Sequence, residues 1–106
     1  MKLSIVIPCY NEEEVLPLIL KQLNTLSSDW TSRDEFTEIE FVFVDDGSQD
    51  RTYDLLTETS KEDKRVKVVR FSRNFGHQAA LLAGYELAQG DVIVSLFYRG
   101  DRVFQE

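Results

Sequence analysis

Two adjacent carboxylates follow a buried strand near the middle of the chain. Residues 41–44 form a short apolar run, and Asp45 and Asp46 come directly after it, followed by Gly47 and Ser48. A strand covered on both faces has such a run, and open parallel sheets bind ligands beyond the carboxyl ends of their strands. Carboxylates at that place can hydrogen-bond a base or ribose, hold a divalent metal or accept a phosphoryl group. We therefore predict a functional site at these two residues, and the residues alone leave the three uses open.

The rest of the sequence predicts strands and helices in alternation. The predicted strands are 3–7, 39–44, 66–71 and 91–96, and the predicted helices are about 12–27, 51–62 and 78–89. Helical connections of this length force parallel strands and right-handed crossovers. We therefore expect an α/β fold with an open parallel sheet, helices on both faces and strand order 3-2-1-4. The strand exits then lie along one edge of the sheet, and that edge is the expected site.

Local signals predict where these elements end. Pro8 is expected to end the first strand, because proline cannot donate to the ladder of a central strand. Asp50 and Asn74 are candidate N-caps of the second and third helices, and Gly90 is a candidate C′ glycine. Residues 28–37 carry no apolar period and are expected to form a loop.

The composition is that of one small globular domain. The 106 residues include 42% hydrophobic and 29% charged side chains, with a formal net charge of −7. An acidic chain is poorly suited to a nucleic-acid backbone or an anionic membrane as its main partner. No apolar run reaches the roughly 18 to 20 residues of a membrane-spanning helix. The single Cys9 cannot form an internal disulfide, so we expect a buried thiol and a cytoplasmic location.

Other motifs are absent or weak. Neither G-x-G-x-x-G after the first strand nor G-x-x-x-x-G-K-[ST] occurs, which argues against a dinucleotide oxidoreductase and a P-loop NTPase. Gly76, with Arg73 and Asn74 before it, can offer N–H donors to an anion or simply allow close helix packing. His77 is the only histidine, and no Cys or second His stands near it to complete a zinc site. We expect it to be a hydrogen-bonding surface residue.

Three segments in order resemble the family 2 glycosyltransferases of the GT-A fold. They are IVIPCYNEE at residues 5–13, VDDGSQDRT at residues 44–52 and SRNFGHQAA at residues 72–80. The third segment is most similar to the branch of dolichyl-phosphate mannosyltransferases and bactoprenol glucosyltransferases. The resemblance covers residues 3–96, and it implies that residues 1–96 are the N-terminal, nucleotide-sugar-binding part of such a domain.

The resemblance implies an inverting transfer of a sugar from a UDP- or GDP-linked donor, with a polyprenyl phosphate acceptor in that branch. It also implies two groups of site residues. Pro8, Tyr10, Asn11, Glu12, Asp45, Asp46 and Ser48 would bind the nucleotide, and Arg73, Asn74 and Gly76 would lie near the diphosphate or the acceptor. The charges agree, because carboxylates accept from hydroxyl and ring N–H groups whereas a cation faces phosphate.

The sequence departs from the family pattern after Leu96. The pattern has an Asp-x-Asp that coordinates Mg²⁺ or Mn²⁺ on the donor diphosphate, but Phe97 and Arg99 stand in its two places. Neither side chain supplies the oxygen ligand that such a cation needs. We therefore expect no catalytic residue, no metal ligand and no transferase activity in this chain by itself. Residues 97–106 are expected to be an atypical tail that arose by a frameshift, a truncation or a cloning scar.

Two functions outside this family remain open. A phospho-acceptor receiver module also has clustered acids at strand ends, but it needs a lysine at a later strand exit, and none follows the fourth strand. The other is a non-catalytic assembly unit, because an unfinished sheet exposes an edge and apolar surface that favour self-association. We expect a homo-oligomer formed through that edge, and a longer parent protein at the cytoplasmic face of a membrane.

Overall fold

Strands and helices alternate along the chain. A computed structural model describes residues 1–33, 35–99 and 102–105. In chain order the elements are β1 (Lys2–Cys9), α1 (Leu16–Ser32), β2 (Glu38–Asp45), α2 (Thr52–Glu62), β3 (Val66–Arg70), α3 (His77–Leu87), β4 (Val92–Arg99) and β5 (Arg102–Gln105). The predicted order of four strands and three helices is confirmed, and β5 is an addition to it. None of the described helices is long and apolar enough to cross a bilayer.

The described strands form one sheet in the order β3-β2-β1-β4-β5. β1 pairs in parallel with β2 and with β4, and β2 pairs in parallel with β3. The predicted parallel order 3-2-1-4 is therefore confirmed. β4 was expected to end at Leu96, but it continues to Arg99 because β5 pairs with it in the antiparallel direction. The parallel strands end at one edge of the sheet, which we call the carboxyl edge.

Helices cover both faces of the sheet, as predicted. Side chains alternate between the two faces along a strand, so Ile5 and Ile7 pack on one side and Val6 on the other. α1 and α2 cover the first side, where Leu16, Ile19, Leu23 and Leu56 are buried, and α3 covers the second side through Ala80 and Leu81. Burial on both sides explains why the strands read as continuous apolar runs. Cys9 is buried in the larger core, which confirms the expectation of a buried thiol.

α1 is longer at its C-terminal end than the sequence predicts. The loop expected over residues 28–37 is wrong in its first part, because the helix continues through Ser32. The Ser32 hydroxyl donates to the Asp29 carbonyl at 2.8 Å, and the rings of Trp30 and Phe36 lie 6.4 Å apart. The hydrogen bond of this hydroxyl and the contact of the two aromatic rings stabilise the last turn of α1. Neither contact produces a periodic pattern of apolar residues in the sequence.

The prediction that Pro8 ends β1 is wrong. β1 continues to Cys9, and Pro8 pairs with Val44 of β2. The Cys9 carbonyl accepts the N–H of Asp46 on the β2 side, so the alternation of strand hydrogen bonds turns the Pro8 nitrogen toward the β4 side. Pairing with β4 ends before that point, at Val6. Proline therefore removes no hydrogen bond from the ladder and is tolerated inside a central strand.

A buried carboxylate joins the elements at the edge opposite the carboxyl edge. Glu40 accepts hydrogen bonds from the Ser4 hydroxyl and from the Gln89 N–H, and it forms an ion pair with Lys67 at 2.6 Å. Burial raises the pKa of Glu40, but the hydrogen bonds from Lys67, Ser4 and Gln89 outweigh it and lower the pKa to about 2. The predicted C′ role of Gly90 is wrong, because α3 ends earlier and the Gly90 N–H donates to Ser4 at 2.8 Å.

Candidate active site at the carboxyl edge

Three of the described loops lie at the carboxyl edge. The first loop is residues 10–15 after β1, the second is residues 46–51 after β2, and the third is residues 71–76 after β3. Each loop contains part of one of the three sequence segments described above. The fold therefore brings the three segments together, although they are far apart in the sequence.

Hydrogen bonds join the first loop to the second loop and to the start of α2. Three successive N–H groups of the first loop donate to side-chain oxygens: Asn11 to Ser48 Oγ (2.9 Å), Glu12 to Thr52 Oγ1 (2.8 Å) and Glu13 to Asp50 Oδ2 (3.2 Å). In return, the Asn11 side chain accepts the N–H of Gln49 at 2.8 Å. These bonds hold residues 10–15 outside the helix, so the start predicted near Glu12 is wrong and α1 begins at Leu16.

The Asp46 carboxylate joins the second loop to the third. Asp46 is buried and accepts the backbone N–H groups of Phe75 (2.8 Å) and Gly76 (3.1 Å). The amide of Asn74 also donates to it, at 3.1 Å. The predicted N-cap role of Asn74 is wrong, because this side chain bonds Asp46 and the N-cap of α3 is Gly76. Both oxygens of Asp46 are therefore occupied in holding the third loop.

Gly47 allows the second and third loops to approach each other. Its φ is +72°, and a Cβ at this position would lie 2.3 Å from the carbonyl carbon of Arg73. Any larger residue would push the loops apart and would also be strained at this φ. The backbone of Arg73 is thus fixed beside the two acids, and its guanidinium lies over the Phe75 ring, 4.5 Å from the centroid.

Asp45 is fully buried beneath the second loop. One carboxylate oxygen, Oδ1, accepts from the Ser48 hydroxyl and from the Ser48 N–H. The other, Oδ2, has no hydrogen-bond partner among the described residues and lies 3.8 Å from Arg70 Nε. The Arg70 guanidinium also lies over the Tyr53 ring, 4.5 Å from its centroid. Asp45 therefore keeps one oxygen that makes no hydrogen bond with a described residue and only an ion pair with Arg70.

The first loop lies beside an acidic cavity of about 470 Å³. Its described lining residues are Tyr10, Asn11, Glu12, Glu13, Glu14, Val15, Asp50 and Tyr98. Burial raises the pKa of Glu12 to about 7, with a further contribution from Asp50, and the buried Oε2 atom of Glu12 has no hydrogen-bond partner among the described residues. Burial likewise raises the pKa of Tyr98 to about 12. The charged groups described in this lining are all acids, so the cavity suits a neutral group with hydrogen-bond donors.

The end of β4 does not fit the metal that the family pattern places there. The Phe97 ring packs edge to face against His77, with centroids 5.2 Å apart. An aromatic ring and a guanidinium offer no oxygen to a divalent cation. Within the part of the chain that the structure describes, no three His, Cys, Asp or Glu side chains are grouped so that they could hold a metal ion.

The predicted site residues come together, with different roles in the structure. Tyr10 is 41% exposed at the first loop, whereas Pro8 is buried in β1 and shapes the strand exit. The sequence missed Thr52, which is fully buried and whose hydroxyl donates to Asp50 Oδ1 at 2.6 Å. A hydroxyl at a helix start was an available signal for it. Tyr98 gave no such signal, because it lies beyond the family pattern.

Comparisons with known proteins give one matching family and several similar proteins. Residues 4–96 match the protein family described as Glycosyl transferase family 2. The chain is 47% identical over 91 residues to the uncharacterized glycosyltransferase YkcC of Bacillus subtilis strain 168, an alignment that covers 86% of this chain and 27% of that protein. It is 42% identical over 94 residues to an undecaprenyl-phosphate 4-deoxy-4-formamido-L-arabinose transferase of Pectobacterium carotovorum, covering 88% of this chain and 27% of that protein.

A solved structure shares the fold. The crystal structure of S. aureus TarS residues 1–349 in complex with UDP superimposes with a TM-score of 0.69 at 29% identity, covering 95% of this chain and 28% of that chain. The chain therefore spans only 27 to 28% of the length of these three proteins. The part that it matches is their N-terminal part.

Proposed function

This chain belongs to the family 2 glycosyltransferases, and on that premise we propose that it forms the nucleotide-sugar-binding part of a sugar transferase. The donor would be a UDP- or GDP-linked sugar and the acceptor a polyprenyl phosphate. Support comes from the relative named for undecaprenyl phosphate and from the structural neighbour that holds UDP. Because the chain belongs to this family, we no longer propose a phospho-acceptor receiver module.

One observation carries this proposal: the three family segments form a single hydrogen-bonded surface at the carboxyl edge. The first loop is tied to the second through Asn11 and Ser48, and the second to the third through Asp46 and Gly76. Ligands of open α/β sheets bind at this edge. A preformed surface of this kind reduces the entropy that a ligand would otherwise lose in ordering the loops.

The proposed nucleotide residues divide into two kinds. Tyr10 is the exposed group that would contact the base or ribose. Asp45 would accept from an N–H or hydroxyl donor through Oδ2, which pairs with Arg70 and makes no hydrogen bond with a described residue. Asn11, Ser48 and Asp46 act by holding the loops, because their side chains already bond one another or the neighbouring loop. Glu12, in the lining of the acidic cavity, would hydrogen-bond the neutral part of the ligand, which is the nucleoside.

The chain by itself would bind nucleotide without transferring sugar. Phe97 and Arg99 stand where the family pattern has its metal-binding acids, and relatives have most of their length outside the matched region. The whole protein would work at the cytoplasmic face of a membrane, because a polyprenyl phosphate is a membrane lipid. Self-association would use the first part of the outer edge of β4, which β5 leaves unpaired and where Val92 and Ile93 are exposed. Residues 97–106 would be atypical in sequence only, because residues 97–99 complete β4 and Tyr98 lines the acidic cavity beside the first loop.

Calorimetric titration of the 106-residue chain with UDP and with GDP tests the proposal. We expect one of the two to bind, and Tyr10→Ala to weaken it by about tenfold, because contact of a base with an aromatic ring contributes roughly 1 to 3 kcal/mol. Leu87→Ala is the matched control, since Leu87 is 45% exposed. Leu87 is the last residue of α3 and lies toward the edge of the sheet opposite the carboxyl edge. If neither nucleotide binds the folded chain, the proposed function is wrong.

A further inference from the structure

We propose that this chain holds the diphosphate of its nucleotide with the Arg73 guanidinium in place of a divalent cation. The inference rests on the proposed function, since it concerns how the same carboxyl edge binds a nucleotide. It begins from the disagreement between the family pattern and the end of β4. Three features of the structure support it: the backbone at Phe97, the distribution of acids, and the position of Arg73.

The backbone at the place of the Asp-x-Asp is part of the sheet. Phe97 pairs with Phe104 of β5, and Arg99 pairs with Arg102. The Phe97 side chain contacts His77 at the start of α3. Phe97 and Arg99 have no carboxylate, and both are held in a strand pair. These two positions therefore cannot supply the oxygen ligands through which a cation would bind a phosphate.

The acids of the carboxyl edge determine where a diphosphate can lie. The cavity beside the first loop is lined by Glu12, Glu13, Glu14 and Asp50, and no described cation lines it. A diphosphate placed there would meet like charges, whereas a nucleoside is neutral. The nucleoside therefore belongs on the side of the first loop, and the diphosphate belongs toward the third loop, where the one nearby carboxylate described, Asp46, is buried and already bonded to backbone N–H groups.

Among the arginines whose side chains are described near this edge, Arg73 is the one that the fold leaves available on that side. Arg70 is held by Asp45 and the Tyr53 ring, and Arg51 lies 3.9 Å from Glu58. Arg73 forms no ion pair with any described residue. Its backbone is fixed by contact with Gly47, and its guanidinium lies over an aromatic ring. A guanidinium binds phosphate oxygens through two parallel hydrogen bonds, which suits it to this task.

The test compares UDP with uridine, and GDP with guanosine, in the presence of EDTA and in the presence of MnCl₂. We expect the affinity for the diphosphate to be the same in both solutions, within about twofold. We expect Arg73→Ala to lower the affinity for the nucleoside diphosphate by about tenfold or more, which is the magnitude of a charge-assisted hydrogen bond. The affinity for the nucleoside should not change. Arg33→Ala is the control, because Arg33 is an exposed arginine at the other end of α1.

The outcomes separate this inference from the proposed function. Binding of UDP or GDP that appears only with Mn²⁺ overturns the inference and leaves the proposed function standing. If Arg73→Ala lowers the affinities for the diphosphate and the nucleoside equally, the inference is also overturned. Arg73 would then stabilise the fold or contact the base rather than the diphosphate. Absence of all nucleotide and nucleoside binding overturns the proposed function and this inference with it.

Discussion

Replacing Asp46 with asparagine tests how the candidate site is held together. The substitution keeps the size of the side chain, but it removes the charge and turns one acceptor oxygen into an N–H₂ donor. That donor would face the N–H groups of Phe75 or Gly76, which now bond the carboxylate at 2.8 and 3.1 Å. A hydrogen bond to a charged group contributes roughly 1.5 to 3 kcal/mol, so we expect Asp46→Asn to lower the free energy of unfolding by about 3 kcal/mol. This is a large share of the roughly 5 to 15 kcal/mol that stabilises a small domain.

Two measurements check this prediction. Urea unfolding gives the change in free energy, and amide hydrogen exchange gives its place in the structure. Exchange at Phe75 and Gly76 should accelerate more than exchange in the core of β1. Asp29→Asn is the control, because Asp29 is exposed on α1 and its substitution should change stability by less than about 0.5 kcal/mol. A loss below about 1 kcal/mol for Asp46→Asn, with unchanged exchange at the two amides, would refute this account of the site.

Three further predictions concern single residues and are measured by urea unfolding. Gly47→Ala should cost about 3 kcal/mol or more, because of its positive φ and the overlap of a Cβ with Arg73; a loss under about 1 kcal/mol would contradict the close approach of the loops. For Glu40, whose pKa falls from 4.5 to about 2, stability should be lost as the pH falls through this range, and Glu40→Gln should abolish that loss. For Glu12, whose pKa rises from 4.5 to about 7, stability should decrease as the pH rises between these values. Glu12→Gln should show no such decrease, and an unchanged pH profile would contradict the burial of this carboxyl group.

The element order and the strand order follow from patterns that are local in the sequence. Apolar runs at 41–44 and at the other strands, separated by helical lengths of chain, leave a parallel sheet with right-handed connections as the simple solution. The position of Asp45 and Asp46 at a strand exit is equally local. Errors occurred where one element meets another: Pro8 is tolerated because β4 has already diverged, and α1 is extended by contacts that have no period.

The sequence by itself therefore determined the fold class, the family and the edge at which the functional residues gather, because each depends on residue types at short and regular spacing. Only the tertiary structure decided what those residues do there. Asp46 bonds the third loop while Asp45 keeps an oxygen without a hydrogen bond to a described residue, although the two are identical neighbours in the chain. The physical reason is that side chains at successive positions point in different directions and meet different partners. Hydrogen-bond partners that lie 28 to 40 residues away cannot be read from local spacing.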